Sequence, residues 1–391
     1  MACHYYPFSR LLFGLPAFGW AGVELFFVLS GFLITSILLN MKSGPHPYKI
    51  FYLRRILRIF PPYFAVLLFV ILVAKLEHDS IAWPRVGQDV LFLQSFHNTS
   101  HVLKQIAHIL TGTEPIPNPF VRQPLPPAEA GFPISGFSTS YSHTWSLSVE
   151  EWFYILWAPM VLKLRRRALL YCCMAVCGAA LFIRWFGFLG VSTYFVFFSR
   201  IDVLMGGALL ALWVERRRSL QPAERSRIDM LIISAAAVCC VLLLAIVVLI
   251  APVLGREIRA SPAFSVFGLP LLGFSFAGVL SYVISNAGSD RLSCRLLRLK
   301  PVVTLGVVSY TLYLIHVPVY FLVTQAAARL RIGTGDYYAA LVISTISAAL
   351  SIGLAWLSFK YFELPILSYK DRLTERIISL GNSSSPRDLS E

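Results

Sequence analysis

Charge is what this sequence has least of. Only 14% of its 391 residues are charged, while 57% are apolar. With a mean hydropathy of +0.69, that balance excludes an ordinary soluble domain and places the chain among membrane proteins. Acidic residues are scarcer than basic ones, 20 against 34, which leaves a net charge of +14. Such an excess could suit nucleic acid, but the basic residues gather in short blocks between apolar runs. That is how cytoplasmic loops of a membrane protein look, so nucleic acid is set aside as a partner. The seven cysteines have no metal-ligand or disulfide spacing. Cys172, Cys173, Cys177, Cys239 and Cys240 lie inside apolar runs and Cys294 in a basic loop, so they read as small packing residues, and no metal is expected. A cleavable signal is not visible either, because Met1-Ala2-Cys3-His4 offers no basic stretch leading into an apolar run. Internal repeats and paired broken spans, the usual marks of a transporter, are also lacking.

Long apolar runs are what the sequence does contain. A helix needs about 20 apolar residues to cross a bilayer. Nine runs qualify: 22–40, 59–76, 144–164, 168–188, 194–214, 230–253, 263–285, 302–326 and 338–359. The expected fold is therefore all-α, a polytopic transmembrane helix bundle. A shorter apolar stretch, 87–96, reads as interfacial or re-entrant. The basic blocks at 42–58, 163–167, 216–227, 291–300 and 360–376 fall on one side if only the nine runs cross. That side is then the cytoplasm, which also holds the C-terminus. The Pro-rich segment 99–143 lands outside as an extended loop. Residues 1–366 form one membrane domain, and 367–391 read as a short polar cytoplasmic tail with a disordered end. The first run enters from outside, and a preceding span would explain that most simply.

Ionisable groups inside spans cost about 2.5–3.5 kcal/mol each on insertion scales, so they are functional candidates by default. Glu24, Glu150, Glu151, Arg200, Asp202 and His316 are of this kind. Pairing within the bundle is the plainer account of any one of them. In the segment Phe51–Tyr63, Arg54, Arg55 and Arg58 stand three and four residues apart, close enough to line one helical face. Guanidinium forks suit a polyanionic ligand at the cytoplasmic surface, although snorkelling anchors would produce the same pattern. At the head of the next run, Ser146, Glu150 and Tyr154 share a face. They can orient a base or an acceptor hydroxyl, or simply hydrogen-bond within the bundle.

Taken in order, several segments resemble the membrane-bound acyltransferase-3 family, whose members acylate surface polysaccharides and related acceptors. They are Gly22-Val23-Glu24-Leu25-Phe26-Phe27-Val28-Leu29-Ser30-Gly31-Phe32, Arg54 to Pro61, Thr144 to Tyr154, Arg200-Ile201-Asp202 with Gly206-Gly207-Ala208, Ser309 to Pro318, and Tyr361-Phe362-Glu363-Leu364-Pro365. The resemblance implies ten spans with both ends in the cytoplasm, of which this chain carries nine and a remnant of the first. It places a catalytic histidine at His4 and the family's basic partner residue before Met1, so the chain looks short at its start. Glu24 stands where the family usually has Asp.

The implied reaction moves an acyl group, acetyl being expected, from cytosolic acyl-CoA to a hydroxyl of a carbohydrate or glycolipid at the outer face of the cell membrane. Acyl-CoA is a co-substrate, and no bound cofactor is implied. His4 would be the base, with Glu24 or Glu150 orienting its ring. The arginines Arg54, Arg55 and Arg58 would hold the CoA phosphates. His316 is the competing base, and His143 a third histidine at the membrane surface. An acyl-histidine relay is a variant of the same scheme. The rival reading is a transporter or exporter of a glycan or lipid-linked intermediate, using the same buried charges as a path.

Overall fold

In a computed structural model of the chain, the described residues are 21–79, 81, 83–96, 99–112, 143–186, 196–254, 263–332 and 337–383. All regular structure among them is helical. Lipid offers backbone groups no hydrogen-bond partners, and a helix satisfies them within its own segment. The order is α1 Ala21–Met41, α2 Pro47–Leu76, α3 Trp83–Val90, α4 Thr99–Thr111, α5 Trp145–Lys163, α6 Arg166–Trp185, α7 Ile201–Arg216, α8 Pro222–Leu254, α9 Leu269–Ser285, α10 Leu292–Leu297, α11 Lys300–Arg329, α12 Tyr337–Ser358 and α13 Leu364–Ser383. Wide π-turns lead into α9 (Phe264–Gly268) and join α12 to α13 (Phe359–Glu363).

Among the described residues seven helical stretches are long and apolar enough to cross a membrane, and the chain is a polytopic membrane protein. The expected count of nine is not reached on those criteria. The other two expected runs are helices, but α5 carries Glu150, Glu151 and Lys163, and α7 is only 16 residues long. Both are largely buried. A helix surrounded by other helices has no lipid to face and needs no continuous apolar surface.

Helices α1 and α7 form the tightest pair. A Cβ on Gly31 would stand 1.9 Å from the Leu204 carbonyl oxygen, and one on Gly207 would stand 2.1 Å from that of Val28. Glycine at both crossings lets the two backbones touch. Lys42, just beyond α1, donates to the Val161 and Leu164 carbonyls (2.9 and 2.6 Å), closing the open end of α5.

Two segments outside the expected spans carry helices. The loop 99–143 begins with the 13-residue helix α4, and the presumed tail contains α13, which packs against α2. The polar composition of α13 hides a regular helix whose buried Thr374 and Ile377 face the bundle. The stretch 87–96 does not cross. The end of α3 leads into Phe92 and Ser95, which are buried against Tyr63, Ser148 and Trp152.

Candidate active site

The polar residues of α1, α2, α5, α7 and α11 gather in two tiers. One is built around histidines where α5 begins. Tyr313 is its hub: its hydroxyl donates to the His143 carbonyl and accepts from the Ser146 hydroxyl at 2.7 Å. The Tyr313 carbonyl oxygen lies 2.9 Å from His143 Nε2 and 2.7 Å from His316 Nδ1. A carbonyl only accepts, so both nitrogens carry protons. In its neutral form His316 therefore keeps its lone pair on Nε2, and His143 keeps its own on Nδ1. The two imidazole centroids are 5.0 Å apart, edge to face.

Beside them, Arg200 pairs with Glu24, both side chains being fully buried. The guanidinium also lies over the Phe27 and Trp145 rings (5.9 and 5.8 Å). A second buried pair fixes this one in place. Arg184 grips Asp202 with both ends of its fork (3.0 and 2.6 Å) and donates to the Ser199 carbonyl. That clamp holds the turn leading into α7, the turn that carries Arg200. Glu24 Oε2 has no hydrogen-bond partner among the described residues.

The other tier is built around arginines. Arg55 stacks over the Tyr154 ring at 5.0 Å. Tyr154 donates to Glu150 Oε2 at 3.0 Å and shares a 2.5 Å hydrogen bond with Ser30. Glu150 Oε1 and Glu151 Oε1 are buried without a hydrogen-bond partner among the described residues. Arg54 donates to Thr374 of α13 at 3.3 Å. None of Arg54, Arg55 and Arg58 forms an ion pair among the described residues. Arg54 and Arg58 are exposed and Arg55 is half-buried. From Tyr154 to Ser146 along α5 is two turns, about 12 Å.

The family described as "Acyltransferase domain" (acyltransferase-3) matches residues 2–359. The chain belongs to this family. Among its curated relatives, this acyltransferase-3 chain is 25% identical over 360 residues to the peptidoglycan O-acetyltransferase OatA of Listeria monocytogenes, an alignment covering 89% of the chain and 51% of the relative. It is 23% identical over 368 residues to the O-acetyltransferase OatA of Staphylococcus aureus, covering 89% and 52%. The match to the putative peptidoglycan O-acetyltransferase YrhL of Bacillus subtilis is 28% over 217 residues, covering 51% and 30%. The chain spans about half the length, or less, of these relatives. No solved structure is a significant match.

Within this acyltransferase domain, the expected site residues separate. Glu24, Arg200, Asp202, Ser146 and His316 lie in or beside the histidine tier, and Arg54, Arg55, Arg58, Glu150, Glu151 and Tyr154 in the arginine tier. Ser146 shares a face with Glu150 and Tyr154 but bonds to Tyr313, on another helix. Arg54 reaches toward α13 and Arg55 toward α5. His4 lies outside the described residues. Sequence reasoning missed Arg184 and gave Tyr313 no role. Arg184 could have been found, as a charge inside an apolar run; Tyr313 carries no charge to betray it.

Proposed function

We propose that the chain transfers an acyl group, acetyl in the simplest case, from cytosolic acyl-CoA to a hydroxyl of a carbohydrate or glycolipid at the outer face of the cell membrane. The names of the relatives, two of them peptidoglycan O-acetyltransferases, support both the acetyl group and a glycan acceptor. In this reading α5 and α7 cross with the seven apolar stretches, and α13 lies in the cytoplasm beside the basic blocks. The observation that carries the proposal is the two-tier arrangement: guanidiniums with no ion pair among the described residues at one level and hydrogen-bonded histidines about two helical turns away.

In this scheme the phosphates of acyl-CoA rest on Arg54, Arg55 and Arg58, and the pantetheine arm runs along α5 toward Ser146. The acceptor oxygen attacks the thioester carbonyl, its proton goes to a histidine, and the C–S bond breaks to release CoA, whose thiolate takes up a proton. His4 is that histidine on the family resemblance; His316, with its lone pair on Nε2, is the competing base. Glu24 and Arg200 supply fixed charge beside the reacting carbonyl.

Protein reconstituted in lipid nanodiscs with labelled acetyl-CoA and peptidoglycan fragments should release CoA and label the glycan. Movement of glycan across vesicles without CoA release would overturn the proposal in favour of an exporter. Comparing His4→Ala with His316→Ala assigns the base: the variant that loses turnover while still binding CoA carries it.

A further inference from the structure

The arginine tier contains a carboxylate to which the reaction scheme gives no role. Glu363 closes the π-turn Phe359–Glu363 between α12 and α13 and is 8% exposed. π-turns are rare, and the extra residue they add re-aims side chains, often at functional sites. Here the turn brings Glu363 against α11 and α2. Thr311 of α11 donates to Glu363 Oε1 at 2.6 Å, and Ser358 donates to the same oxygen at 3.2 Å. Both donors occupy Oε1, which leaves Oε2 as the oxygen that can meet a guanidinium. The turn packs on α2, and Tyr310, the neighbour of Thr311, donates to the carbonyl of Ile59, the residue after Arg58, at 2.9 Å, so Glu363 and Arg58 stand on facing parts of α11 and α2. Yet Glu363 and Arg58 form no contact ion pair.

We propose that Glu363 is a positioning residue for the phosphate cradle, holding Arg58 in place through its charge while leaving the guanidinium fork open to the diphosphate of acyl-CoA. The proposal rests on the reading of the arginines as that cradle. Three guanidiniums within one turn of α2 repel one another, and with no nearby carboxylate Arg58 would swing away into water. A contact ion pair would have the opposite fault, since the fork would already be filled. A carboxylate pinned by two hydroxyls and making no contact ion pair offsets the repulsion and leaves the fork to the phosphate oxygens. It also ties the cradle on α2 to α11, the helix that carries Tyr313 and His316.

The test uses the full chain in detergent or nanodiscs, with CoA as the probe, and compares Arg58→Ala, Glu363→Gln and the double variant. Glu363→Gln keeps the shape and the oxygen that Thr311 and Ser358 bind. It should weaken CoA binding about tenfold and leave the unliganded melting temperature where it was. Added to Arg58→Ala it should cause no further loss, because Glu363 acts through Arg58. Glu363→Asp, which keeps the charge, should restore most of the affinity, and it distinguishes a charge effect from a packing effect if Glu363→Gln melts early. Weakening by Arg58→Ala with unchanged binding in Glu363→Gln would overturn the role of Glu363 and spare the cradle. Equal weakening by Glu363→Gln with and without Arg58 would overturn it too, since the action would be independent of Arg58. Wild-type protein that does not bind CoA, or Arg58→Ala that binds it normally, would overturn the cradle reading itself.

Discussion

The two tiers of the site answer the problem of charge in a membrane in opposite ways. In the histidine tier charge is paired and buried: Glu24 with Arg200, Arg184 with Asp202, and each histidine held against one carbonyl. In the arginine tier the cations have no ion-pair partner among the described residues, and two of the three are exposed. A buried pair is rigid but strongly destabilising to break, whereas an exposed guanidinium contributes little to stability and can accept a ligand. The first arrangement suits groups that must stand at fixed angles to reacting atoms. The second suits the capture of a polyanion that arrives from water. Stability and binding should therefore separate by tier when residues are changed.

The largest effect is expected where one member of a buried pair is removed. Arg200→Ala strands the Glu24 carboxylate inside α1–α7 and should cost about 3–5 kcal/mol. Thermal unfolding in detergent and the yield of monodisperse protein report it. The double change Glu24→Leu with Arg200→Met should recover most of that stability but not the activity, which would show that the pair is kept for chemistry rather than for the fold. A well-folded Arg200→Ala single variant would break the contrast between the tiers. Next comes His316→Ala, for which turnover should fall about 100-fold or more with CoA affinity unchanged. Rate and binding measured on one preparation would check it.

Much of the bundle is legible from the sequence because apolar length is a direct physical requirement of lipid. The seven apolar crossings follow from that alone. α5 and α7 meet the requirement only indirectly, since neighbouring helices take the place of lipid around them. A hydropathy count is blind to that replacement. Most charged members of the site were visible for the converse reason, since each is expensive where it stands; Arg184 was passed over. What charge does not reveal is connectivity. Nothing in the spacing of Tyr313 shows that one carbonyl serves two histidines, because the partner residues are 170 and 3 positions away. The polar segment after residue 366 read as a tail because its buried side, Thr374 and Ile377, is narrow among many charged residues. Family motifs located Glu363 without giving it a partner; the π-turn and the Thr311 hydroxyl supply one.

Arg55→Ala extends the comparison from the other side. It removes the cation over Tyr154 and should weaken CoA binding about tenfold, with a stability change of less than about 1 kcal/mol. Isothermal titration with CoA alongside a melting curve would read both. A large loss of stability would mean that Arg55 is a structural clasp for Tyr154, and the tiers would then differ less than their pairing indicates.

The smallest expected effect is pH dependence confined to the histidine side. Asp89, outside the spanning helices, has its carboxyl pushed up to about 6 by burial, only partly offset by the Gln94 amide and Arg85. Gln94 bonds Asp89 at 2.8 Å and Tyr63 at 3.0 Å, and reaches Thr144, the neighbour of His143, at 3.4 Å. The folded chain thus binds the Asp89 proton more tightly than the unfolded chain does. Between the unfolded value near 4 and about 6, stability contributed by this group falls as pH rises, and above about 6 no more is lost. Asp89→Asn keeps an acceptor for Gln94 and removes the titration. It should flatten the melting temperature across that window and raise it slightly at pH 7, with CoA affinity constant throughout because the arginine tier lies elsewhere. A melting profile that keeps its slope in Asp89→Asn would assign the pH response to another group, and a change in CoA affinity would show that the two tiers communicate.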